Sequence, residues 1–567
     1  MNNFKGFTAF SLFWLTAAAG ALAAGADRTT GQLIEDFTYG SLALSPVTAT
    51  QVGYHRHNDR NLDDVVDDYS PAGIESMRRF YARFQHRLDA AAGGTLDAEQ
   101  HADLELMRNA VGDAQLEWGE IQGYRHNPTL YVELIGNALY TPYVLHYAPA
   151  AERFQHIIQR LTRVPELVRQ AKANLADSPE IWNRVAREEN SGNIDLIDKT
   201  LRADCPQPLK DRYASAASGA LAALRDLNRW LETDLAKKTS DWRLGKERYA
   251  KKFRFELAIG KPPEQLLAEA EADLRRVRAE MAALVAPKTV EQALAEVASE
   301  HATPETFIAS AKATLAEATA FVKAHDLLAL PTRGNLQVVE TPEFLRGGYA
   351  VGGFSPAPPL QPELGAYYWV TPFDKDMPRA RIDSKLREYS SSGMQHLTVH
   401  EAMPGHYVQF EYANDVEPRS RRLLRGVFAN TPYVEGWGVY AQQLMAEQGY
   451  RAGTPGYRLI MQKQLLRILA NTILDVRLQT RGMTDEQAIE FMMKNAFQEQ
   501  EEAALKLQRA KLSSCQLATY YAGFTGWLAA RDHYKARKGA GFKLKEFHER
   551  ALQESGVPLP LLDRLLQ

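Results

Sequence analysis

His400-Glu401-Ala402-Met403-Pro404-Gly405-His406 places two histidines six residues apart across a Pro-Gly pair, and Tyr433-Val-Glu435-Gly-Trp-Gly-Val-Tyr440 follows downstream. On a regular helix, imidazoles four residues apart diverge by about 40° and can share one ion, whereas six apart they diverge by about 120°. Proline cannot continue a helix, and glycine adopts conformations closed to other residues. The expectation is therefore a helix carrying His400 and Glu401, a local bulge at Pro404-Gly405, and a resumed helix that returns His406 to the side of His400. His400, His406 and Glu435 then supply three ligands to a single Zn2+ ion, the fourth position is left to water, and Glu401 stands beside it as the base. His396 lies four before His400 and competes with His406 on plain helical spacing. His406 is preferred because it keeps the base next to the first ligand, accounts for Pro404-Gly405 and leaves Glu435 on a later helix.

Before this segment, residues 335–373 depart from the rest of the chain. Asn335–Glu340, Gly347–Val351 and Gly365–Thr371 are short, β-branched or aromatic, and punctuated by Gly and Pro, so a small sheet is expected just ahead of the His400 helix. An extended peptide could add to the edge of such a sheet, or the sheet could simply cap the helices. The proline-rich stretch Ser355–Pro362 reads as a loop between strands, where it would cover a substrate. Elsewhere apolar residues recur three and four apart, as in Ala72–Ala92, Asp97–Ile121, Pro262–Leu284 and Thr303–His325, which predicts a mainly α protein. Pro262-Pro263-Glu264 is a helix start. The run Arg419-Ser-Arg-Arg422 reads as a solvated helix face.

The chain of 567 residues has a net charge of −3, which gives no footprint for nucleic acid. Lys5, the apolar run Phe7–Leu22 and the small-x-small step Ala21-Leu22-Ala23 form a signal peptide over residues 1–24, so export to a periplasm or the medium is expected. An uncleaved anchor is the alternative. The remaining residues 25–567 read as one helical domain, with two lobes at about 25–330 and 331–567 around a cleft. Cys205 and Cys515 are expected to be free, buried thiols.

With these motifs the chain resembles family 885 of the domains of unknown function, a bacterial group placed in the clan of zinc metallopeptidases that includes thermolysin and the helical carboxypeptidases. The family pattern is His-Glu-Ala-x-Pro-Gly-His-His, Glu-Gly-Trp-x-x-Tyr and Arg-Tyr…Gln-Ala-x-x-Tyr-x-x-Gly. Here Tyr407 replaces the last histidine. The third segment appears as Arg509-Ala510, Gln516 and Tyr520-Tyr521-Ala522-Gly523, with Ser514-Cys515 where the family tends to have Pro-Gly. The cadence recurs at Gly245-Lys-Glu-Arg-Tyr249 and Asp475-Val-Arg477, so the likeness spans most of the chain after the leader. It implies a large helical gluzincin-like metallopeptidase with a deep cleft that admits short peptides and trims them from the C-terminus. Relatives often carry an acid four residues after the glutamate ligand, but that position here is Val439.

The expected chemistry is peptide hydrolysis: Glu401 takes a proton from the attacking water and passes it to the leaving amine. Tyr520, or its neighbour Tyr521, donates to the oxyanion. Arg509 and Arg477 are candidates to hold a carboxylate, either the substrate's C-terminus or a supporting acid such as Asp475, and their plain alternative is a structural ion pair. His396, Tyr407 and Gln516 are further candidates around the site. Short peptides are the expected partners, with no stable membrane association once the leader is removed, and the oligomeric state stays open. Hydrolysis of another amide, an acylated amino acid or a cell-wall peptide, is an alternative. A secreted binding protein that lost turnover is a second, against which the intact Glu401 argues.

Overall fold

Helices occupy the four spans expected from the sequence, with ends that differ by at most about four residues. The computed structural model describes residues 30–341, 346, 352–374 and 377–567, so the expected leader and the expected strand Gly347–Val351 fall outside the described residues. Ser70 caps the helix Pro71–Ala91 and Asp97 caps Ala98–Leu116, each side chain accepting the amide three residues on. The second helix runs on through a π-turn to Ile121. Pro263–Val285 begins directly after Pro262, and Phe307–Ala324 fills the fourth expected span. The described residues are mainly helical, and among them no helix is long and apolar enough to cross a membrane.

The small sheet stands ahead of the His400 helix. Ala366–Val370 is its central strand, paired parallel with Leu336–Glu340 and antiparallel with Gly352–Ser355. Its buried face rests on the helices: the Tyr368 hydroxyl lies 3.1 Å from Thr398 Oγ1, and the Tyr407 hydroxyl donates to Asn335 Oδ1 at 3.1 Å. The loop after Ser355 does not cover the site. Leu360 is buried with Leu42, Leu62 and Leu423, and Gln361 Oε1 lies 3.1 Å from His55 Nε2, so the loop is fastened to the N-terminal segment.

Two large apolar cores follow one another from about residue 130 onward, and earlier residues form smaller clusters that reach Leu423 and Leu424. One runs from Tyr131 to Leu235. The other gathers Ala102 and residues from Tyr249 to Leu566, including the sheet and the helices around His400. The helices between 245 and 324 pack with this second core because their apolar stripes face it. Cys205 and Cys515 are free and buried, one with each core.

The arginine run is not a solvated face. In the helix Arg419–Val427, Arg421 Nε donates to Asp103 Oδ2 at 2.7 Å and Arg425 Nε to Asp103 Oδ1 at 2.9 Å, while Arg425 Nη2 reaches Glu99 Oε2 at 2.6 Å. Asp103 and Arg425 are both fully buried, so this helix is clamped to Ala98–Leu116, whose sequence position is more than three hundred residues away. Asp103→Ala leaves a buried guanidinium without its main partner. We expect it to cost about 3–5 kcal/mol of stability, read as a lowered midpoint in urea or thermal denaturation.

Candidate functional site

The helix Ser391–Glu401 stops and a new helix, His406–Ala413, begins. This is a full break rather than a bulge. A Cβ on Gly405 would sit 1.9 Å from the carbonyl oxygen of His400, so only glycine lets the chain double back here. The carbonyls that the break exposes find a donor on another helix: Trp437 Nε1 lies 2.9 Å from Pro404 O and 3.2 Å from Gly405 O. Trp437 belongs to Thr431–Glu447, which also carries Glu435. On that helix Gly438 clears room for the His400 ring, because a Cβ there would lie 2.5 Å from His400 Cε1.

Three elements thus bring His400, His406 and Glu435 together. Their ligand atoms all lie within 4.8 Å of one another, and among the described residues this is the one such group of His, Cys, Asp or Glu. Glu435 Oε2 is 3.5 Å from His400 Nε2 and 3.6 Å from His406 Nε2, and the two rings meet edge to face at 4.7 Å between centroids. Burial raises the Glu435 carboxyl, yet the two imidazoles outweigh it and hold the group well below the usual carboxylate range. Burial depresses His406, but Glu435 prevails and raises it. Gln409 donates through Nε2 to Tyr433 O at 3.2 Å, so its Oε1 faces His406 Nδ1, also at 3.2 Å. That arrangement makes Nδ1 the donor and turns Nε2 toward Glu435. Sequence reasoning misses Gln409, although its i,i+3 spacing from His406 is a signal that could have suggested it.

Beside the trio lies a cavity of about 540 Å³. Its lining includes His400, Glu401, Tyr520, Arg509, Val439 and Gly352, the first residue of an edge strand. The Tyr520 and His400 rings are 6.4 Å apart. Arg509 Nη2 donates to the Tyr520 hydroxyl oxygen at 3.1 Å and Gln516 Nε2 at 3.3 Å. Burial and then Glu435 raise the Tyr520 phenol, and Arg509 and Gln516 pull it only part of the way back.

Of the other candidates His396 reaches the cavity lining, and the rest lie elsewhere. Tyr521 donates to Asp273 Oδ2 at 2.8 Å, since adjacent helical residues point about 100° apart and only one of the pair can face the cavity. Arg477 pairs with Glu271 at 2.8 Å and packs over Phe491, the structural ion pair rather than a carboxylate site. Asp475 meets neither arginine; it accepts the amides of Cys515 and Ala518, each at 3.2 Å, and so shapes the turn that launches the Tyr520 helix. His396 stacks on Tyr457 at 4.2 Å between centroids and bonds its carbonyl through Nε2, and burial lowers its pKa to about 4, so it is a packed neutral histidine. Tyr407 serves the sheet.

A family model described as "Bacterial protein of unknown function (DUF885)" matches residues 46–566. No curated protein matches the chain. Among solved structures it is similar to two chains described as a "putative lipoprotein". One, of unknown function, is from Shewanella oneidensis, with 28% identity and a TM-score of 0.78 over 94% of this chain and 99% of that one. The other is from Colwellia psychrerythraea, with 18% identity and a TM-score of 0.77 over 95% and 98%; at that identity the likeness is one of fold.

Residues of the N-terminal core also line the cavity. Glu188 and Glu189, on the helix Glu180–Asp195, stand with Glu133 of Thr129–Val144. Glu189 Oε2 is buried with no hydrogen-bond partner among the described residues, and burial, then Glu133 and Glu188, push its carboxyl up to about 8. An unfolded glutamate ionises near 4.3, so between about pH 4 and 8 the folded state keeps a proton that the unfolded state has lost, and stability falls as pH rises through that window. Glu189→Gln removes this loss. Its melting temperature is expected to exceed the parent's at about pH 8 and to match it near pH 4, as followed by thermal denaturation across that range.

Proposed function

This chain belongs to the DUF885 family of bacterial proteins, and from the site that its fold assembles we propose that it is an exported zinc-dependent hydrolase of peptide bonds in short peptides. The observation that carries this reading is the convergence of His400, His406 and Glu435 beside a cavity that Glu401 also lines. Two imidazoles and a carboxylate are a donor set suited to zinc, and the Gln409 contact presents His406 in the tautomer a ligand needs. When bound, the ion would supply Lewis acidity toward the scissile carbonyl and a lowered pKa for water.

The protein's own groups do the rest. Glu401, next in sequence to His400, accepts the proton of the attacking water and returns it to the leaving amine. The Tyr520 oxygen already accepts two hydrogen bonds, so its own O–H is free to donate to the oxyanion that develops on the substrate. An extended peptide would lie along Gly352–Ser355, whose first residue lines the cavity. Helix-borne ligands with a base adjoining the first histidine support kinship with the thermolysin and helical carboxypeptidase clan, with the Pro-Gly break as this chain's departure. The leader-like segment and the lipoprotein descriptions of the two structural neighbours support export.

Two measurements test this. Metal analysis after dialysis is expected to find one zinc per chain in the parent and in His396→Ala, and little in His406→Ala, with Gln409→Leu weakening affinity about 10–100-fold; the reverse histidine pattern would overturn the ligand set. Incubation with a mixed short-peptide library, read by mass spectrometry, is expected to give cleavage that Glu401→Gln abolishes and Tyr520→Phe slows in kcat by about 10²–10³-fold. Absence of cleavage by the zinc-loaded parent would favour another amide or a binding role.

A further inference from the structure

The cavity wall near Tyr520 carries more positive charge than the protein neutralises. Lys463 and Arg467 come from the helix Pro455–Thr480, and Lys506 and Arg509 from Gln500–Leu512. Two acids stand among them. Lys463 Nζ donates to Glu388 at 2.6 Å, and Arg467 reaches Glu388 at 3.5 Å and Glu502 at 3.4 Å. Arg509 bonds the Tyr520 hydroxyl. Arg467, Lys506 and Arg509 line the cavity with Lys463 behind them, and Glu388, Glu502 and, toward Arg509, Glu435 oppose the four charges.

Lys506 is the cation left over. It lines the cavity, is only 7% exposed, and has no hydrogen bond or ion pair among the described residues. Glu502 and Glu388 act on its charge across space without bonding it, and an ammonium so largely buried and so weakly held is costly. Desolvation, followed by the charges of Arg467 and Arg509, pushes Lys506 well below the ordinary lysine range. The arrangement is relieved when an anion enters.

We propose that Lys506, together with Arg509 and Arg467, forms the subsite for the free α-carboxylate of a short peptide, so that cleavage takes place next to a C-terminus. This rests on the hydrolase reading above and adds its polarity. Arg509 would join the carboxylate to Tyr520, tying recognition of the chain end to the oxyanion donor. Glu133 and Glu188, at the other end of the same cavity, disfavour a carboxylate there, so a peptide with one free acid end has one favoured direction. The i,i+3 spacing of Lys506 and Arg509 puts both on one helix face.

The test uses zinc-loaded full-length Glu401→Gln protein and a tripeptide library prepared both as free acids and as C-terminal amides. Retention after ultrafiltration is read by mass spectrometry. Acids are expected to be retained about 10–100-fold better than amides, the ratio one charge-assisted hydrogen bond supplies. Adding Lys506→Met should bring acids down to the level of amides, leave amides unchanged and keep or raise the melting temperature, which a merely structural lysine would not do. Lys506→Arg should retain part of the preference. Equal retention of acids and amides, retention of neither, or an unchanged preference in Lys506→Met would overturn the subsite. The two readings fail separately. Cleavage of acids and amides alike by the parent keeps the hydrolase and removes the subsite, whereas selective retention without any cleavage keeps the subsite and removes the hydrolase.

Discussion

The helix Thr431–Glu447 runs at backbone distance from a neighbouring helix, and the site depends on that closeness. A Cβ on Gly436 would come within 2.3 Å of the Gly523 carbonyl carbon, and one on Gly523 within 2.0 Å of Pro432 O, so the helix that carries Tyr520 can be this near only through paired glycines. Four consecutive residues then have separate physical tasks. Glu435 faces the histidines, Gly436 admits the Tyr520 helix, Trp437 satisfies the carbonyls freed by the Pro404-Gly405 break, and Gly438 makes room for the His400 ring. Any side chain at either glycine would push apart groups whose distances set the chemistry.

The cavity is built between cores rather than within one. Glu133, Glu188 and Glu189 enter from the N-terminal core, Tyr520 from beside the other, and Lys506 and Arg509 from a helix packed in a smaller cluster with Leu474 and Leu478. Direct bonds hold the seam, with Trp182 Nε1 donating to Lys511 O at 2.6 Å and Arg184 to Gln508 at 3.1 Å. Farther away the buried Asp103–Arg425 pair ties the two parts of the chain. An ion pair in such a place contributes less through its own strength than through the penalty for separating it, which suits a joint that must not slide. The two charged walls are themselves a cost to folding. Glu189 and Lys506 each bury a group that an apolar residue would stabilise, and such costs collect where a ligand completes the arrangement.

Much of this architecture is legible in the amino-acid sequence. Helix starts follow from Ser70, Asp97 and Pro262-Pro263, because caps are short-range devices. The break at Pro404-Gly405 and the preference for His406 over His396 follow from helical geometry and from what proline and glycine forbid. The misplaced expectations share a cause. Tyr520 and Tyr521 are chemically alike, and only the rotation of their helix decides which one meets Arg509. Arg477 and the 419–422 run look like free cations until Glu271 and Asp103 arrive from distant helices. Gln409 and Lys506 have detectable spacings, but polar residues at i,i+3 are too common to single out.

The sequence by itself determined the helical class, an interruption of the helix at Pro404-Gly405, the identity of the convergent His-His-Glu trio and the place of the small sheet, because each rests on strong local signals along the chain. Which tyrosine faces the cavity, which arginines are neutralised, where the cores divide and which lysine is buried without a partner were decided by tertiary structure alone. Those outcomes depend on helix rotation and on partners from remote segments, and the energy of a charge is set by what surrounds it in space.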